Sequence, residues 1–463
     1  MLVLELNELC PTLLQRFMAA GDLPAFARLR DESTVMVTDA QEPQHHLNPW
    51  IQWVTAHTGV GYDEHGVFKL GEGSTLRQPT IADAVTDAGG SVWLCGPMNV
   101  VPTAPLRGRW LPDPWNPDDA SIDDELRPFA EFVRTNVQEH SNTAHRLSPR
   151  DHVAFLWFMV RHGLRPATVR TVLSQMVGER RGNRERWRRV ALLDRFQWDL
   201  FRWAFRRDRP TLATYFSNTT AHYQHLYWRH MDPEPFTLKP DADEQARFGD
   251  AIPFGYREMD RIVGEALDLV GTDTTLVLCT ALSQQPYTRC DDEGGNRFHR
   301  PKDLAELLRQ LGVEDVAEIS PVMAEQFRVL FRSRAAAEVG AARLLAVTVG
   351  GVPAFEVRLT DRVVFTGCAI RAEVSNEARL VAKAPAVSLA FVEHFYQAET
   401  AKSGYHHPQG AFWIRTPDRR GTQPDQPLPL RAVAPTLLSL LGVPVPTSMA
   451  APAFSMDHAD RER

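Results

Sequence analysis

Apolar runs and polar breaks alternate through the first hundred residues in a strand–helix–strand rhythm. Leu2 to Leu6 is apolar except for Glu5 and predicts a buried first strand ending at Asn7-Glu8. Pro11 to Met18 begins a helix, Gly21-Asp22-Leu23-Pro24 turns, and Ala25 to Leu29 adds a helical turn. Val35 to Thr38 reads as a second strand. This order favours a parallel sheet covered by helices. Pro49 suits a first helical position with Asn48 as its cap, and the helix over Trp50, Ile51, Trp53 and Val54 should stop near Gly59. Thr80 to Ala88 predicts a helix ended by Gly89-Gly90, and Ser91 to Cys95 a strand. Pro112 to Asp124 reads as a Pro- and Asp-rich loop.

From about Leu126 to Arg207 the pattern is helical throughout, with Leu193, Phe196, Leu200 and Trp203 forming an apolar stripe. Strand patterns return at Leu212 to Phe216 and Thr275 to Cys279, with a helix over Tyr256 to Leu269 between them. Pro301 to Leu311 predicts another helix. Ala346 to Val349, Ala354 to Leu359 and Arg362 to Phe365 predict a small, mostly antiparallel unit with a Gly350-Gly351 turn. Ala411 to Arg415 is a last core strand, Leu430 to Leu441 a closing helix stopped by Gly442, and the tail from Met449 reads as loose. The expected α/β core thus comes in three parts (1–125, 208–315 and 401–450). A helical insertion (126–207) and a small α+β subdomain (316–400) interrupt it, and a tail (451–463) follows.

The stretch Thr211 to Pro233 stands out chemically. A short strand turns at Ser217-Asn218 into a polar loop with His222 and His225. Open α/β proteins place their chemistry at such strand ends. If the loop continued as a helix, the two imidazoles would share a face. A lone His-x-x-His is more often structural, so the other segments decide its meaning.

Composition narrows the classes. The net charge of -7 over 463 residues is mild and the signs are interspersed, which excludes a general nucleic-acid binder. Five scattered cysteines (Cys10, Cys95, Cys279, Cys290, Cys368) form neither a disulfide framework nor a zinc-ribbon spacing. MLVLELNELC has no basic n-region, and the longest apolar run, Val153 to Val160, is too short to span a bilayer. The expectation is a cytoplasmic protein without a membrane span.

Four segments then line up in order: LELNEL, HTGVGYDEHG (Thr58, Gly59, His65, Gly66), AHYQHLYW, and SGYHHPQG (Ser403, Gly404, His406, Pro408, Gly410), with RAVAPTLLSLLGVPVP closing. The order resembles the alkaline phosphatase superfamily, in particular its type I phosphodiesterase and nucleotide pyrophosphatase branch. The resemblance covers both ends of the chain and skips the insertion and the small subdomain. It implies a central, mostly parallel sheet sandwiched by helices. It also implies a pair of metal ions, usually zinc, with Asp and His ligands and a Thr or Ser nucleophile. Carried over residue by residue, the first-strand Asp falls on Asn7, beside Glu8. The nucleophile region falls on Leu47, Asn48 and Pro49. The Asp of Asp-x-x-x-His falls on Ala221, its His on His225, the Asp-His pair on Ala281-Leu282, and the last His on His406. The implied two-metal site has therefore lost three carboxylates, one His and the nucleophile.

Polar groups nonetheless crowd the strand ends expected to converge. One zinc or iron ion needs three His, or two His and a carboxylate, with an open position. His225 and His406 are the expected metal ligands, with His222 or Glu8 as the third group. His222 and Glu8 are also the candidate catalytic acid and base. Asn7, Asn48, Gln284, Gln285 and His407 are candidate substrate contacts. His65 reads as structural, closing its turn with Gly66. The arginines at 180, 181, 184, 186, 188 and 189 have Glu179 and Glu185 among them, which favours a solvated helix face, but they could also hold an anion. Two functions follow. One is a metal-dependent hydrolase or transferase of a small phosphate or sulfate ester, attacked by water at the metal or by an acceptor substrate. The other is a catalytically inactive pseudo-phosphodiesterase that binds an anion or a protein partner.

Overall fold

The apolar runs pair into an eight-stranded sheet. Its members are β1 (Leu2–Leu6), β2 (Thr34–Asp39), β3 (Val92–Cys95), β4 (Gly108–Leu111), β5 (Leu212–Ser217), β6 (Leu276–Cys279), β9 (Gln409–Arg415) and β10 (Leu428–Pro429). A separate antiparallel ribbon joins β7 (Ser283–Pro286) to β8 (Gly404–His407). The computed structural model describes residues 1–116, 122–139, 147–289, 291–322, 326–383, 386–398, 400–418, 422–424 and 426–456.

The strand order is β10-β2-β9-β6-β1-β5-β3-β4. Every pairing is parallel except the two that β9 makes with β2 and β6. β1 lies in the middle, buried along its whole length between β5 and β6. A strand covered on both faces needs no polar alternation, which is why LVLEL is apolar at every position but Glu5. Because β9 runs opposite, its first residue lies at the edge where β1, β5 and β6 end. The ribbon strand β8, just before β9, is delivered to the same edge.

Helices cover both faces. On one face Leu2, Leu4 and Leu6 pack with helices α1 (Pro11–Ala19), α2 (Pro24–Asp31), α4 (Val190–Asp208) and α6 (Ala251–Val270). The predicted insertion belongs to this layer, since Phe129, Phe155, Phe158 and Met159 are buried in the same core. On the other face Val3 and Val277 meet helices α3 (Pro49–Thr58) and α7 (Val433–Leu441). A third core, from Leu304 to Phe395, holds two small antiparallel sheets and takes in the helix Leu304–Gln310. The protein is thus α/β with a large, mostly parallel sheet and small antiparallel additions.

Several local expectations are corrected. The polar loop after β5 is a helix, α5 (Thr219–Met231), beginning directly after Asn218. The segment Ala346–Val349 starts later, because Ala346 caps the helix Arg334–Leu345 and the strand is Thr348–Val349. Pro301 ends a short strand, and the next helix starts at Leu304 with Asp303 as its cap. As far as residue 456, where the described part ends, the tail is docked: Met449 is buried, and the Phe454 amide donates to Thr436 Oγ1 at 2.9 Å. Cys290 lies outside the described residues, and the other four cysteines are buried and unbridged. Among the described residues no helix is long and apolar enough to cross a membrane.

Candidate metal site at the carboxyl edge of the sheet

β1 ends in a sharp turn. Asn7 still donates its amide to the Ser217 carbonyl (2.9 Å), but Glu8 adopts φ +56°, a left-handed conformation rare outside glycine. A non-glycine residue there costs about 1–3 kcal/mol and persists only where neighbours fix it. Here they do. Gln224 on α5 donates to the Glu8 carbonyl at 2.7 Å and accepts from Tyr256 Oη at 2.7 Å, and Tyr256 Oη accepts from the Cys10 amide at 2.8 Å. Thr220 Oγ1 donates to the Asn7 carbonyl at 3.0 Å. The turn aims the Glu8 carboxylate inward, where the residue is 1% exposed.

Two imidazoles meet it. His225, one turn along α5 from His222, places Nε2 3.2 Å from Glu8 Oε2. His406, on β8, places Nε2 3.7 Å from Glu8 Oε1. The rings lie 5.3 Å apart, and the ligand atoms of Glu8, His225 and His406 all fall within 4.8 Å of one another. His225 Nδ1 is 2.9 Å from the Gly404 carbonyl. That oxygen can only accept, so Nδ1 carries a proton and Nε2 is turned to the carboxylate. A backbone carbonyl in this role is a common way to orient a metal-bound histidine.

The electrostatics match a cation-seeking pocket. Burial works to raise the Glu8 pKa. The charges of His225 and His406 and hydrogen bonds from His225 and Gln284 outweigh it, bringing the carboxyl to about 2. Burial pushes His406 down to about 3, against the pull of Glu8. An ionised carboxylate therefore faces the His406 imidazole, whose neutral form can offer a lone pair. Two His with one carboxylate suit zinc or iron. The residues fit one divalent ion. The His225 side chain keeps 21% exposure, so the cluster is open on one side.

The remaining candidates fall into two groups. Asn7 and Gln284, expected to touch substrate, are 1% and 2% exposed and committed to Glu8. Asn7 Nδ2 donates to Glu8 Oε1 (3.2 Å) and Asn218 Oδ1 (2.7 Å), while its own Oδ1 accepts from Trp53 on α3 (2.7 Å). Gln284 on β7 donates to Glu8 Oε2 and to the Ala221 carbonyl (3.1 Å). The others lie outside the cluster. His222 is half-buried at the start of α5. Gln285 is exposed and donates to the His406 carbonyl at 3.2 Å. His407 Nδ1 accepts from the Gln409 amide at 3.2 Å, which closes the turn into β9. Asn48 Nδ2 donates to the His45 carbonyl at 3.3 Å. His65 bonds Thr55 and the Val67 amide, in keeping with a structural role.

Some participants were not singled out from sequence. Gln224 and the Gly404 carbonyl were missed, although Gln224 adjoins His225 and Gly404 opens the Gly-x-His motif. A stacked pair, Tyr287 and Tyr405 (4.8 Å), adjoins His406, and Lys402 Nζ lies 4.9 Å over the Tyr405 ring. The insertion arginines that were open to an anion role are partly spoken for: Arg189 pairs with Glu179, Arg184 with Asp243, and Arg188 with Glu185.

No family model matches this chain, and no curated protein matches it. Two solved structures of phosphonoacetate hydrolase from Sinorhizobium meliloti 1021 are similar to it, one in complex with phosphonoformate and one with phosphonoacetate. Each covers 96% of this chain and 95% of its own, at 15% and 16% identity, with a TM-score of 0.42. A likeness of that size assigns neither activity nor ligand.

Proposed function

We propose that this chain is an atypical, single-metal hydrolase or transferase of the alkaline phosphatase superfamily kind, acting on a small phosphate or sulfate ester. The reading rests on one observation: Glu8, His225 and His406 come from three separate elements and gather their ligand atoms within 4.8 Å. In this reading those three residues hold one divalent ion, zinc or iron. Such an ion would polarise the ester oxygens and make water a better nucleophile.

The chain's own groups do the rest. Asn7 and Gln284 keep the Glu8 carboxylate aligned, and the Gly404 carbonyl fixes the His225 tautomer. His222, on the same helix and half-exposed, is the acid or base at the mouth. Lys402, beside Tyr405, supplies positive charge for the anion in place of the insertion's arginines. No hydroxyl or thiol stands at Leu47-Asn48-Pro49, so no covalent intermediate on the protein is expected.

The test is elemental analysis of the purified chain and turnover on a panel of phosphomonoesters, phosphodiesters, phosphonates and sulfate esters with several divalent metals. The expected result is about one metal per chain and a turnover that His225→Ala and His406→Ala abolish. A chain that takes up no divalent metal would sink the proposal. Metal retained with no turnover on the whole panel would leave an anion-binding protein.

A further inference from the structure

The helix Pro149–Arg161 buries Phe155, Phe158 and Met159 in the sheet-covering layer, the helix Pro166–Arg181 buries only Thr168, and both leave an apolar side exposed. On the first, Val153, Leu156, Trp157 and Val160 fall at i, i+3, i+4 and i+7 and are 68%, 49%, 59% and 56% exposed. On the second, Val169, Leu173, Met176 and Val177 fall at i, i+4, i+7 and i+8 and are 36%, 56%, 49% and 45% exposed. Val160, Val169, Leu173 and Val177 share an open groove of about 890 Å³. Isolated exposed apolar residues are ordinary, but eight large ones in two helical stripes form a continuous feature that marks an interaction surface.

The charge around the stripes says what covers them. Residues 149–181 carry six arginines and two carboxylates, in a chain whose net charge is -7. One of those carboxylates, Glu179, is already paired with Arg189. The Arg161 guanidinium lies 4.8 Å over the Trp157 ring, and Arg170 and Arg181 line the groove. A second copy docked through the same face would bring two arginine rims together. A negatively charged bilayer surface takes both features at once, the apolar stripes at the headgroup–acyl boundary and the arginines on lipid phosphates. Tryptophan suits that boundary, with an apolar body and a polar N–H.

We propose that this helical hairpin docks the protein onto anionic lipid bilayers, lying on the surface without spanning it. The full chain should co-sediment with phosphatidylcholine–phosphatidylglycerol vesicles at low salt and at least about tenfold more weakly with pure phosphatidylcholine. High salt should release it. Trp157→Ser combined with Leu173→Ser should lower binding more than tenfold, and Arg161→Gln or Arg170→Gln by about fivefold each. All four residues are exposed, so an unchanged melting temperature confirms that the variants fold. No co-sedimentation with anionic vesicles would overturn the proposal. So would vesicle binding that the serine pair leaves unchanged, or a dimer in analytical ultracentrifugation that the serine pair dissolves without any lipid binding.

Discussion

Gln284→Met separates support of the Glu8 carboxylate from contact with substrate. The Gln284 amide donates to Glu8 Oε2 and to the Ala221 carbonyl, and the residue is 2% exposed. Methionine fills nearly the same volume and removes both donors. A hydrogen bond to a charged group contributes about 1.5–3 kcal/mol, while the Ala221 carbonyl keeps its helical partner, the backbone amide four residues on. The metal-free variant should therefore lose about 1.5–3 kcal/mol in urea unfolding. Removing a group that aligns a metal ligand typically weakens metal binding by about 10–100-fold. The same change at the neighbouring exposed Gln285, which donates only to the His406 carbonyl, should cost under about 1 kcal/mol and leave affinity within a fewfold. The assays are urea melts of the metal-free chain and competitive zinc titration against a chelator. Unchanged zinc affinity in Gln284→Met would refute the argument that Glu8 is a ligand held in place by this amide.

Three further outcomes are expected. His225→Ala and His406→Ala should each bring metal content well below one per chain, while His407→Ala leaves it unchanged and His222→Ala alters turnover without altering metal content; elemental analysis with steady-state kinetics checks the set. Burial raises buried Asp194 to about 6, against hydrogen bonds from Ser217 and Thr219 and with help from Glu258. Its folded pKa thus exceeds the unfolded 3.8, so its stabilising contribution is complete below pH 3.8 and is lost as pH rises through about 6. Relative to Asp194→Asn, wild-type stability should therefore fall by about 3 kcal/mol between pH 4 and pH 7, read from urea melts across that range. Finally, Met449→Ala should cost about 2–4 kcal/mol, because Met449 is 4% exposed and packs over Gly59.

The sheet was legible because its inner strands are covered on both sides, so β1, β5 and β6 read as mostly apolar runs, with Glu5 and Thr214 as internal exceptions. The edge strand β4 was not, since Gly108 and Arg109 carry no strand signal and the pairing depends on how closely Val92 approaches Gly108. The ribbon strand β7 was equally silent. Its sequence, Ser-Gln-Gln-Pro, has no strand propensity, and its conformation comes from pairing with β8. That gap explains why Gln284 was read as a substrate contact. Its position against Glu8 follows from pairing with His406, on a strand far away in sequence, and no local pattern encodes it. The histidines were easier to single out, because strand-end position and motif spacing pointed to them independently. The helix α5 was left open in the sequence because Thr219-Thr220 begins it without an acidic first turn or a side-chain cap.

The proposal of a single ion also accounts for positions that differ from the resembled family. Ala221, Ala281 and Leu282, onto which the resemblance carries two carboxylates and a histidine, are 1%, 0% and 0% exposed. A second cation there would face hydrocarbon and pay its desolvation with no ligand to offset it. The carboxylate that remains, Glu8, comes from the residue after the family's position. It reaches the pocket because the chain turns through φ +56° at that point. Asn7, onto which the resemblance carries an Asp, donates its side-chain amide to that carboxylate. Restoring Asp at position 7 alone should weaken the site, because it replaces a donor to Glu8 with a second buried negative charge within hydrogen-bond distance.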